Sequence, residues 1–312
     1  MTEWFQTFLV LSVAGSLLAG ILLALKKWAG KQFSPTWQYV LWVGVLLVMV
    51  VPVSVKVPAL VQPMQEKQMV QRIPLTAAEL TVTEQSAPMD TVEAPAEEIL
   101  PVMEETALPS IPWWDVLAVI WVLGALGSLG YRLTGYFRFS RNICRTGEPM
   151  ELDGVPKGLR VCETTAAVSP MVMGIFRPTL ILPETALTES RLPYVLRHEL
   201  VHYRRGDIIW RWLAVLATSI HWFNPMVYVA AAQMQEACEI SCDWYVVRSM
   251  EQAKRDDYMR VILELLAEAM TKKQILTTQM ASEKKQLQRR FTMIRNQKPV
   301  GMKKLLLSVC VG

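Results

Sequence analysis

The sequence contains few charged residues and little histidine. Only 19% of its 312 residues are charged and 52% are hydrophobic, and the mean hydropathy is +0.25. Soluble domains rarely have a positive mean, whereas chains with membrane spans commonly do. The positive mean hydropathy therefore argues against a chain made only of soluble domains. The net charge is only +4, and its distribution does not favour direct binding to nucleic acid.

Cysteine is missing from residues 59–112, the segment that we predict below to lie outside the cell. A disulfide framework needs cysteines in an oxidising compartment, so this absence excludes a disulfide-stabilised outer domain. We expect reduced thiols on the cytosolic side. The cysteines are Cys144, Cys162, Cys238, Cys242 and Cys310. The three histidines, in contrast, are concentrated within residues 198–221.

Three runs with almost no charge are long enough to cross the ~30 Å hydrocarbon core of a membrane as helices. They cover residues 4–25, 37–55 and 113–131. The first run lacks the basic start and short apolar core of a signal peptide, so we favour a retained helix. Residues 303–312 resemble the start of a fourth span that is cut short, and the alternative is a short apolar tail.

The distribution of basic residues predicts the orientation of these spans. Three lysines lie between the first two runs and four arginines follow the third, so both segments are expected to be cytosolic. Residues 59–112 hold nine acidic residues against two basic ones. We predict a disordered extracellular loop there, because the segment has too little apolar surface to fold. The N-terminus is then also outside, and the chain is a multi-pass protein of the cell membrane.

Residues 140–300 form the predicted cytosolic domain. Within it, residues 159–183 consist of short apolar runs separated by proline and glycine, which predicts a small β element. The pattern then becomes helical. The fold class that we predict is therefore a mainly α membrane protein with a small β element.

A His-Glu-x-x-His motif lies at His198, Glu199 and His202. On an α-helix, positions i and i+4 share one face, so both imidazoles can bind one Zn²⁺. Glu199 lies beside them and is the expected general base. It can take a proton from the attacking water and pass it to the leaving amine.

The flanking residues support a helix at this motif. Thr188 is expected to cap its start, Pro193 is tolerated in a first turn, and Gly206 is expected to end it. Asp207 is expected to cap the next helix. The competing interpretation is a surface helix with two incidental histidines, because a bare motif of this kind also occurs by chance.

A catalytic zinc site needs three protein ligands and one open position. We favour Glu239 as the third ligand, with Asp243 one turn later orienting a histidine. The other candidates are Glu236, Cys238, Cys242 and His221. A pair of cysteine ligands predicts a closed structural site instead, and it leaves Glu199 without a role.

Residues 208–232 are apolar enough to form another span. A single crossing, however, would place His202 and Glu239 on opposite sides of the membrane, where they cannot share an ion. Helices usually end before a proline, and Pro225 lies inside this run. We therefore predict a buried helical hairpin that dips towards the bilayer and returns.

Four segments in this order resemble a known family. They are SPMVMGIFRPTLILP, LRHELVHYRRGD, HWFNPMVYVA and EISCD. They are similar to segments of the BlaR/MecR-type integral-membrane zinc metallopeptidases, which are antirepressor-like gluzincins. The resemblance extends from the first span to about residue 250 of this chain.

The resemblance implies a zinc endopeptidase with a cytosolic, zincin-like catalytic domain. The residues that match the family's site are His198, His202 and Glu239 for one catalytic Zn²⁺, Glu199 for catalysis, and Asp243 for the motif aspartate. The implied substrate is the chain itself or a transcriptional repressor, and the implied role is signal transduction. The lipid bilayer is an expected partner, and a second copy of the chain is a candidate. The alternative is a signal-transducing receptor fragment with a structural or inactive zinc site.

The best-known family members carry an outer penicillin-binding sensor after a fourth span, and this sequence departs from that pattern. It stops before such a domain. Its one Ser-x-x-Lys, from Ser282 to Lys285, lies on the predicted cytosolic side and lacks a Lys-Thr-Gly partner. β-Lactam sensing is therefore not supported by these residues.

Zincins commonly bind peptide as an added strand at the edge of a sheet. Ser169–Gly174 or Thr179–Leu182 can supply that edge, and the alternative is that both are ordinary core strands. No residue is preferred for stabilising the oxyanion. The candidates are Tyr203, Arg204, Tyr245 and His221.

Overall fold

The computed structural model describes residues 2–32, 34–52, 113–272 and 277–296. The predicted outer loop, the end of the second predicted span and residues 303–312 lie outside these ranges. The helices are α1 (Thr2–Gln32), α2 (Pro35–Val50), α3 (Trp113–Thr146), α4 (Leu192–Arg205), α5 (Asp207–Ile220), α6 (Pro225–Val247), α7 (Gln252–Lys272) and α8 (Thr277–Asn296). The strands are β1 (Glu148–Met150), β2 (Arg160–Glu163), β3 (Met171–Met173) and β4 (Thr179–Leu182). The predicted class, mainly helical with a small β element, is confirmed.

Within the described ranges, two helices are long and apolar enough to cross a membrane. They are Glu3–Lys26 within α1, and α3. Only 22% of the apolar part of α1 and 6% of that of α3 is buried inside the protein, and Leu17 and Leu123 are among the side chains that face outward. Apolar surface of this extent is typical of lipid-facing helices. α3 continues beyond the predicted end of its span, and Ile143 in this continuation packs against the sheet.

α2 is shorter than the span predicted over residues 37–55. At 1.5 Å per residue, its 16 residues measure about 24 Å, less than the ~30 Å hydrocarbon core. Ser34 caps the helix by accepting a hydrogen bond from the backbone N–H of Trp37, and Pro35 begins it. One face, which includes Trp42 and Leu46, is buried against α1, α5 and α6. α2 is therefore a central packing element as well as an apolar helix.

The apolar run 208–232 forms α5, a turn over residues 221–224, and the start of α6. The side-chain amide of Asn224 donates to the hydroxyl of Ser12 on α1 at 2.7 Å. The indole N–H of Trp121 on α3 donates to the carbonyl of Ile220 at 2.9 Å. Ser12 lies near the middle of the apolar run 4–25 in α1, and Trp121 lies near the middle of the apolar run 113–131 in α3. The turn therefore lies beside the midpoints of these two apolar runs, not beside their ends.

The four strands form one sheet in the order β1-β2-β4-β3. β2 and β4 are parallel, and the other two pairs are antiparallel. Leu180, Ile181 and Leu182 of β4 have no exposed surface, because β4 is paired on both sides and covered on both faces. The prediction that Thr179–Leu182 can be an open edge is therefore wrong. β3 is at an edge of the sheet, beside α4.

The ends of α4 test two predictions. Arg191 occupies the N-cap position without a side-chain cap, so the prediction that Thr188 caps this helix is wrong. The carbonyl of Thr188 instead accepts the backbone N–H groups of Arg191 and Leu192 in a preceding turn. Gly206 ends the helix as predicted, with a left-handed φ of 64°. Glycine adopts this conformation at little steric cost, so α5 can begin at the next residue.

Candidate metal centre

His198 and His202 lie one turn apart on α4, and their Nε2 atoms are 3.1 Å from each other. Glu239 of α6 faces both of them. One of its carboxylate oxygens is 3.5 Å from Nε2 of His198, and the other is 3.7 Å from Nε2 of His202. Three side chains from two helices therefore direct a nitrogen or oxygen atom to one point.

The spacing of these atoms fits a tetrahedral metal ion. Two ligands at about 2.0–2.1 Å from an ion, at the tetrahedral angle, are about 3.3 Å apart. The three observed separations lie on either side of that value, so one ion can be held with only small side-chain movements. Two imidazole nitrogens and one carboxylate also form a ligand set that is common at catalytic zinc sites.

Two cysteines of α6 offer an alternative set of ligands. The ligand atoms of His198, His202 and Cys242 lie within 4.8 Å of one another. However, Sγ of Cys242 is 3.6 Å from Nδ1 of His198, and Sγ of Cys238 is 3.9 Å from Nδ1 of His202. The thiols thus contact the ring nitrogens that face away from Glu239. A metal ion bound by both Nε2 atoms would therefore be closer to the carboxylate of Glu239 than to either thiol.

His202 is oriented by Asp207, the first residue of α5. Oδ2 of Asp207 is 2.7 Å from Nδ1 of His202, and Oδ1 accepts a hydrogen bond from Tyr39 at 3.0 Å and pairs with Arg205 at 3.2 Å. Burial favours the neutral acid, but the hydrogen bond from His202 and the charge of Arg205 lower the pKa of Asp207. A carboxylate on Nδ1 keeps the proton on that nitrogen and leaves the Nε2 lone pair free for a metal.

His198 is oriented through an intermediate side chain. Its Nδ1 is 2.7 Å from the hydroxyl of Tyr258 on α7, and that hydroxyl donates to Oδ1 of Asp243 at 2.7 Å. The direct distance from Nδ1 to Asp243 is 3.5 Å. Asp243 therefore acts on His198 chiefly through Tyr258, whose hydroxyl accepts a hydrogen bond from Nδ1–H and donates its own hydrogen bond to the carboxylate. Asp243 lies beside a histidine of the motif, and its role in orienting that histidine stays a prediction, while the intermediate Tyr258 was not predicted.

Asp243 is itself held by an arginine from α8. Arg290 donates from Nε to one carboxylate oxygen at 2.6 Å and from a terminal nitrogen to the other at 2.9 Å. Asp243 has no exposed surface, so burial alone would raise its pKa, but the charge of Arg290 lowers that pKa to about 2. Residues of α8 did not figure in the sequence-based site. No motif marks Arg290, because its partner lies 47 residues away in the chain.

α8 contacts α6 along a second line of interactions. Arg289 pairs with Glu236, and Lys26 of α1 is 3.2 Å from the same carboxylate. Phe291 and Ile294 pack into an apolar cluster with Val246 and other residues of α6 and α7. Glu236, a weaker candidate for the third ligand, is therefore a junction between α1, α6 and α8.

A cavity of about 380 Å³ opens beside the three ligand atoms. Glu199 lies in its wall and is mostly buried, in position to act on a molecule held there. Met171 of β3 borders one side, and apolar residues of α7, among them Val261 and Leu265, border another. Arg211 also reaches the cavity and donates to Glu239 at 3.1 Å.

The remaining candidates lie elsewhere in the described part of the chain. Nε2 of His221 is 2.8 Å from the carbonyl of Met49, so this imidazole is bound to α2 at the turn of the hairpin. Tyr203, Arg204 and Tyr245 are not among the described residues that line the cavity. Of the two arginines that do line it, Arg211 is nearer to Glu239, at 3.1 Å, than Arg290 is, at 3.8 Å, although sequence reasoning selected neither.

Comparison with known proteins gives a family for this arrangement. Residues 6–294 match the model of the family described as BlaR1 peptidase M56. The chain is 29% identical over 131 residues to the regulatory protein BlaR1 of Bacillus licheniformis, which is 41% of this chain and 22% of that protein. It is 26% identical over 166 residues to the methicillin resistance mecR1 protein of Staphylococcus aureus, which is 48% of this chain and 28% of that protein.

The matches thus cover less than a third of the length of these relatives. The family model, in contrast, covers most of this chain, and it includes all five predicted site residues together with Arg290. Membership suggests a metallopeptidase with a metal cofactor. This chain belongs to the BlaR1 peptidase M56 family.

Proposed function

We propose that this chain is a membrane-embedded, zinc-dependent endopeptidase that acts in signal transduction. The observation that carries the proposal is the convergence of His198, His202 and Glu239 on one point, with separations of 3.1 to 3.7 Å between ligand atoms. The adjacent cavity, with Glu199 in its wall, supports a catalytic role over a structural one. A structural site needs neither a cavity nor a general base.

His198, His202 and Glu239 would hold the ion, and Asp207 and Tyr258 would fix the tautomers of the two histidines. Bound zinc supplies a Lewis acid that polarises the scissile carbonyl and makes water more acidic. The carboxylate of Glu199 would take the proton of the attacking water and deliver it to the leaving amine. Arg211, which already binds the carboxylate of Glu239, is positioned to stabilise negative charge at the cavity.

The substrate that we propose is an extended protein segment. β3 pairs with β4 on one side only, so its other side presents backbone groups at the mouth of the cavity. A peptide can bind there as an added strand, with backbone hydrogen bonds for affinity and the apolar wall of α7 for side-chain contacts. We propose the chain itself or a cytosolic transcriptional repressor as the protein that is cleaved.

The membrane arrangement that we propose has α1, α2 and α3 as spans and α5–α6 as a hairpin that reaches the middle of the bilayer. The outward-facing apolar surface of α1 and α3 supports the spans. The bonds from Asn224 to Ser12 and from Trp121 to Ile220 support the depth of the turn. In this arrangement His202 and Glu239 lie on the same, cytosolic side, as a shared ion requires.

The test uses the full chain purified in detergent, beside Glu199→Gln and His202→Ala. We expect about one zinc per chain in the parent and in Glu199→Gln, and little in His202→Ala, because a two-residue ligand set holds zinc poorly. Cleavage of the chain or of an added protein is expected from the parent alone, and a zinc chelator should stop it. Absence of zinc from the parent protein would refute the proposal.

A second candidate function is a signal transducer whose metal site is closed and inactive. The proximity of Cys242 to both histidines favours it. Cys242→Ser and Glu239→Ala separate the two functions. Loss of zinc in Cys242→Ser with retention in Glu239→Ala would establish the closed site, and the reverse result would support the catalytic one.

A further inference from the structure

The turn between β3 and β4, Gly174–Pro178, exposes two adjacent apolar side chains. Phe176 is 95% exposed and Ile175 is 43% exposed. Gly174 has a φ of 88°, and a Cβ atom there would lie 2.5 Å from the carbonyl oxygen of Arg177. The glycine therefore permits a tight turn that directs Phe176 away from the protein. Two adjacent exposed apolar side chains at the tip of a turn form a small apolar patch, and patches of this kind mark surfaces that contact a protein or a membrane.

The turn lies beside the start of α5. Ile175 and Gly174 line a small cavity of about 140 Å³ together with Gly206, Ile208 and Ile209. Ile209 is itself 55% exposed, so the two elements present neighbouring apolar surface on the outside of the protein. The turn is thus adjacent to the segment where the chain leaves the catalytic domain for the apolar hairpin.

The depth of this position follows from helix geometry. The carbonyl of Ile220, at the end of α5, accepts a hydrogen bond from Trp121, which lies near the middle of the apolar run 113–131 in α3. From Ile220 back to Ile209, α5 covers eleven residues, about 16 Å at 1.5 Å per residue. Half of the hydrocarbon core is about 15 Å. If the α5–α6 turn is at the middle of the bilayer, Ile209 is at the cytosolic boundary of the hydrocarbon region.

Positive charge accompanies the apolar tip. Arg177 is inside the turn, and Arg160 begins β2 at the same end of the sheet, where it lies opposite Thr179. Both arginines are exposed, and neither has an acidic partner within 4 Å in the part of the chain that the structure describes. An apolar tip flanked by cations is the combination that binds at the surface of membranes with anionic lipids.

We propose that the Gly174–Pro178 turn is a membrane anchor: Phe176 and Ile175 enter the cytosolic leaflet, and Arg160 and Arg177 contact its anionic headgroups. β3 leads directly into this turn, so its open edge and the cavity beside it face the membrane surface. If the proposed peptidase function holds, the preferred substrates are extended segments that lie within a few residues of the bilayer. The anchor itself does not depend on catalysis.

The experiment places a nitroxide spin label at Phe176→Cys in the full chain, with Cys144, Cys162 and Cys310 replaced by serine so that only the buried Cys238 and Cys242 remain. The protein is reconstituted in vesicles of phosphatidylcholine and phosphatidylglycerol. Collision with oxygen, which concentrates in lipid, is compared with collision with a water-soluble nickel chelate. Leu17→Cys, on the outward face of α1, is the lipid control. Ser190→Cys is the water control, because Ser190 precedes α4 and is about 20 Å from Gly206 by helix rise.

We expect the label at Phe176 to behave as the one at Leu17 does, with oxygen collisions dominant, while the label at Ser190 collides mainly with nickel. A nickel-accessible label at Phe176 beside a lipid-accessible one at Leu17 would overturn the anchor and leave the spans intact. Shielding from both reagents would also overturn it, because protein would then cover the tip. Nickel access at Leu17 would instead refute the membrane arrangement on which the depth argument rests.

Discussion

The two histidines of the candidate metal centre are held in different ways. Nδ1 of His202 meets Asp207, which is five residues later and is brought back by the tight α4–α5 turn at Gly206. Nδ1 of His198 meets Tyr258, which lies 60 residues later, and behind it Asp243 and Arg290. One half of the site is therefore assembled locally and the other by three helices that are distant in sequence.

The comparison shows that one chemical requirement can have two structural origins. Each imidazole needs an acceptor on Nδ1 so that Nε2 can bind metal. The local half depends on a backbone conformation, whereas the distant half depends on the docking of α8 against α6. Glu236 connects α8 to Lys26 of α1, so movement of either helix is expected to reach His198 before it reaches His202.

The largest effect is expected at Glu239, where the two halves meet. Glu239→Ala removes the carboxylate that faces both Nε2 atoms, so we expect loss of stoichiometric zinc and of cleavage. Glu236→Ala is the matched control on the same helix, since its carboxylate binds Lys26 and Arg289 instead. Zinc content by mass spectrometry of the native protein is the measurement. Equal zinc loss in both variants would show that Glu239 has no special role.

Substitutions of Asp207 and Asp243, the carboxylates that orient the two histidines, test the difference between the local and the distant half directly. Asp207→Asn and Asp243→Asn should each weaken zinc binding by about 10–100-fold, as measured by competition with a chelator. Asp243→Asn should also reduce the free energy of unfolding by about 3 kcal/mol, because the mostly buried guanidinium of Arg290 loses its bidentate partner and keeps only Glu239, at 3.8 Å, as an acidic neighbour. Arg205, the partner of Asp207, keeps a hydrogen bond to Ser241, so the loss in Asp207→Asn should be smaller. Identical losses of stability would remove the distinction between the halves.

Substitutions of Arg290 test the contribution of the distant half, in which Arg290 holds Asp243 and Tyr258 behind His198. Arg290→Gln should weaken zinc binding by about tenfold, because Asp243 and Tyr258 are no longer held in place and Glu239 loses a cation at 3.8 Å. Arg290→Lys should recover part of the affinity, since it restores the charge without the bidentate geometry. Arg289→Gln is the control, because Arg289 is bound to Glu236 and does not touch the chain that leads to His198. An effect of Arg289→Gln as large as that of Arg290→Gln would mean that α8 acts only by general docking.

The smallest effect is expected in the local half, at Gly206. Gly206→Ala forces a residue with a side chain into a left-handed conformation and should lower the free energy of unfolding by about 1 kcal/mol. Asn tolerates this conformation better, so Gly206→Asn should cost less. Thermal unfolding in detergent compares the two. A larger loss in Gly206→Asn than in Gly206→Ala would show that space, not backbone conformation, limits this position.

The elements that local patterns predict agree best with the structure. The apolar runs of α1 and α3, the end of α4 at Gly206, and the interruption of the 208–232 run before Pro225 can all be read from neighbouring residues. The start of α4 was not predicted correctly, because Thr188 closes a separate turn before the helix. The choice of β3 over β4 as the open edge also could not be predicted, because strand order is a long-range property.

The sequence by itself determined which residues can hold a metal: the spacing of His198 and His202 places them on one helical face, and that follows from helix geometry alone. It also determined that the long apolar runs are buried in protein or lipid, because the composition of a segment sets its free energy of transfer out of water. Only the tertiary structure decided what orients those histidines. Asp207 becomes a partner because the chain reverses direction at Gly206, and Arg290 because α8 docks on α6. Contacts between side chains on different helices depend on how the helices pack, and no local pattern specifies that packing.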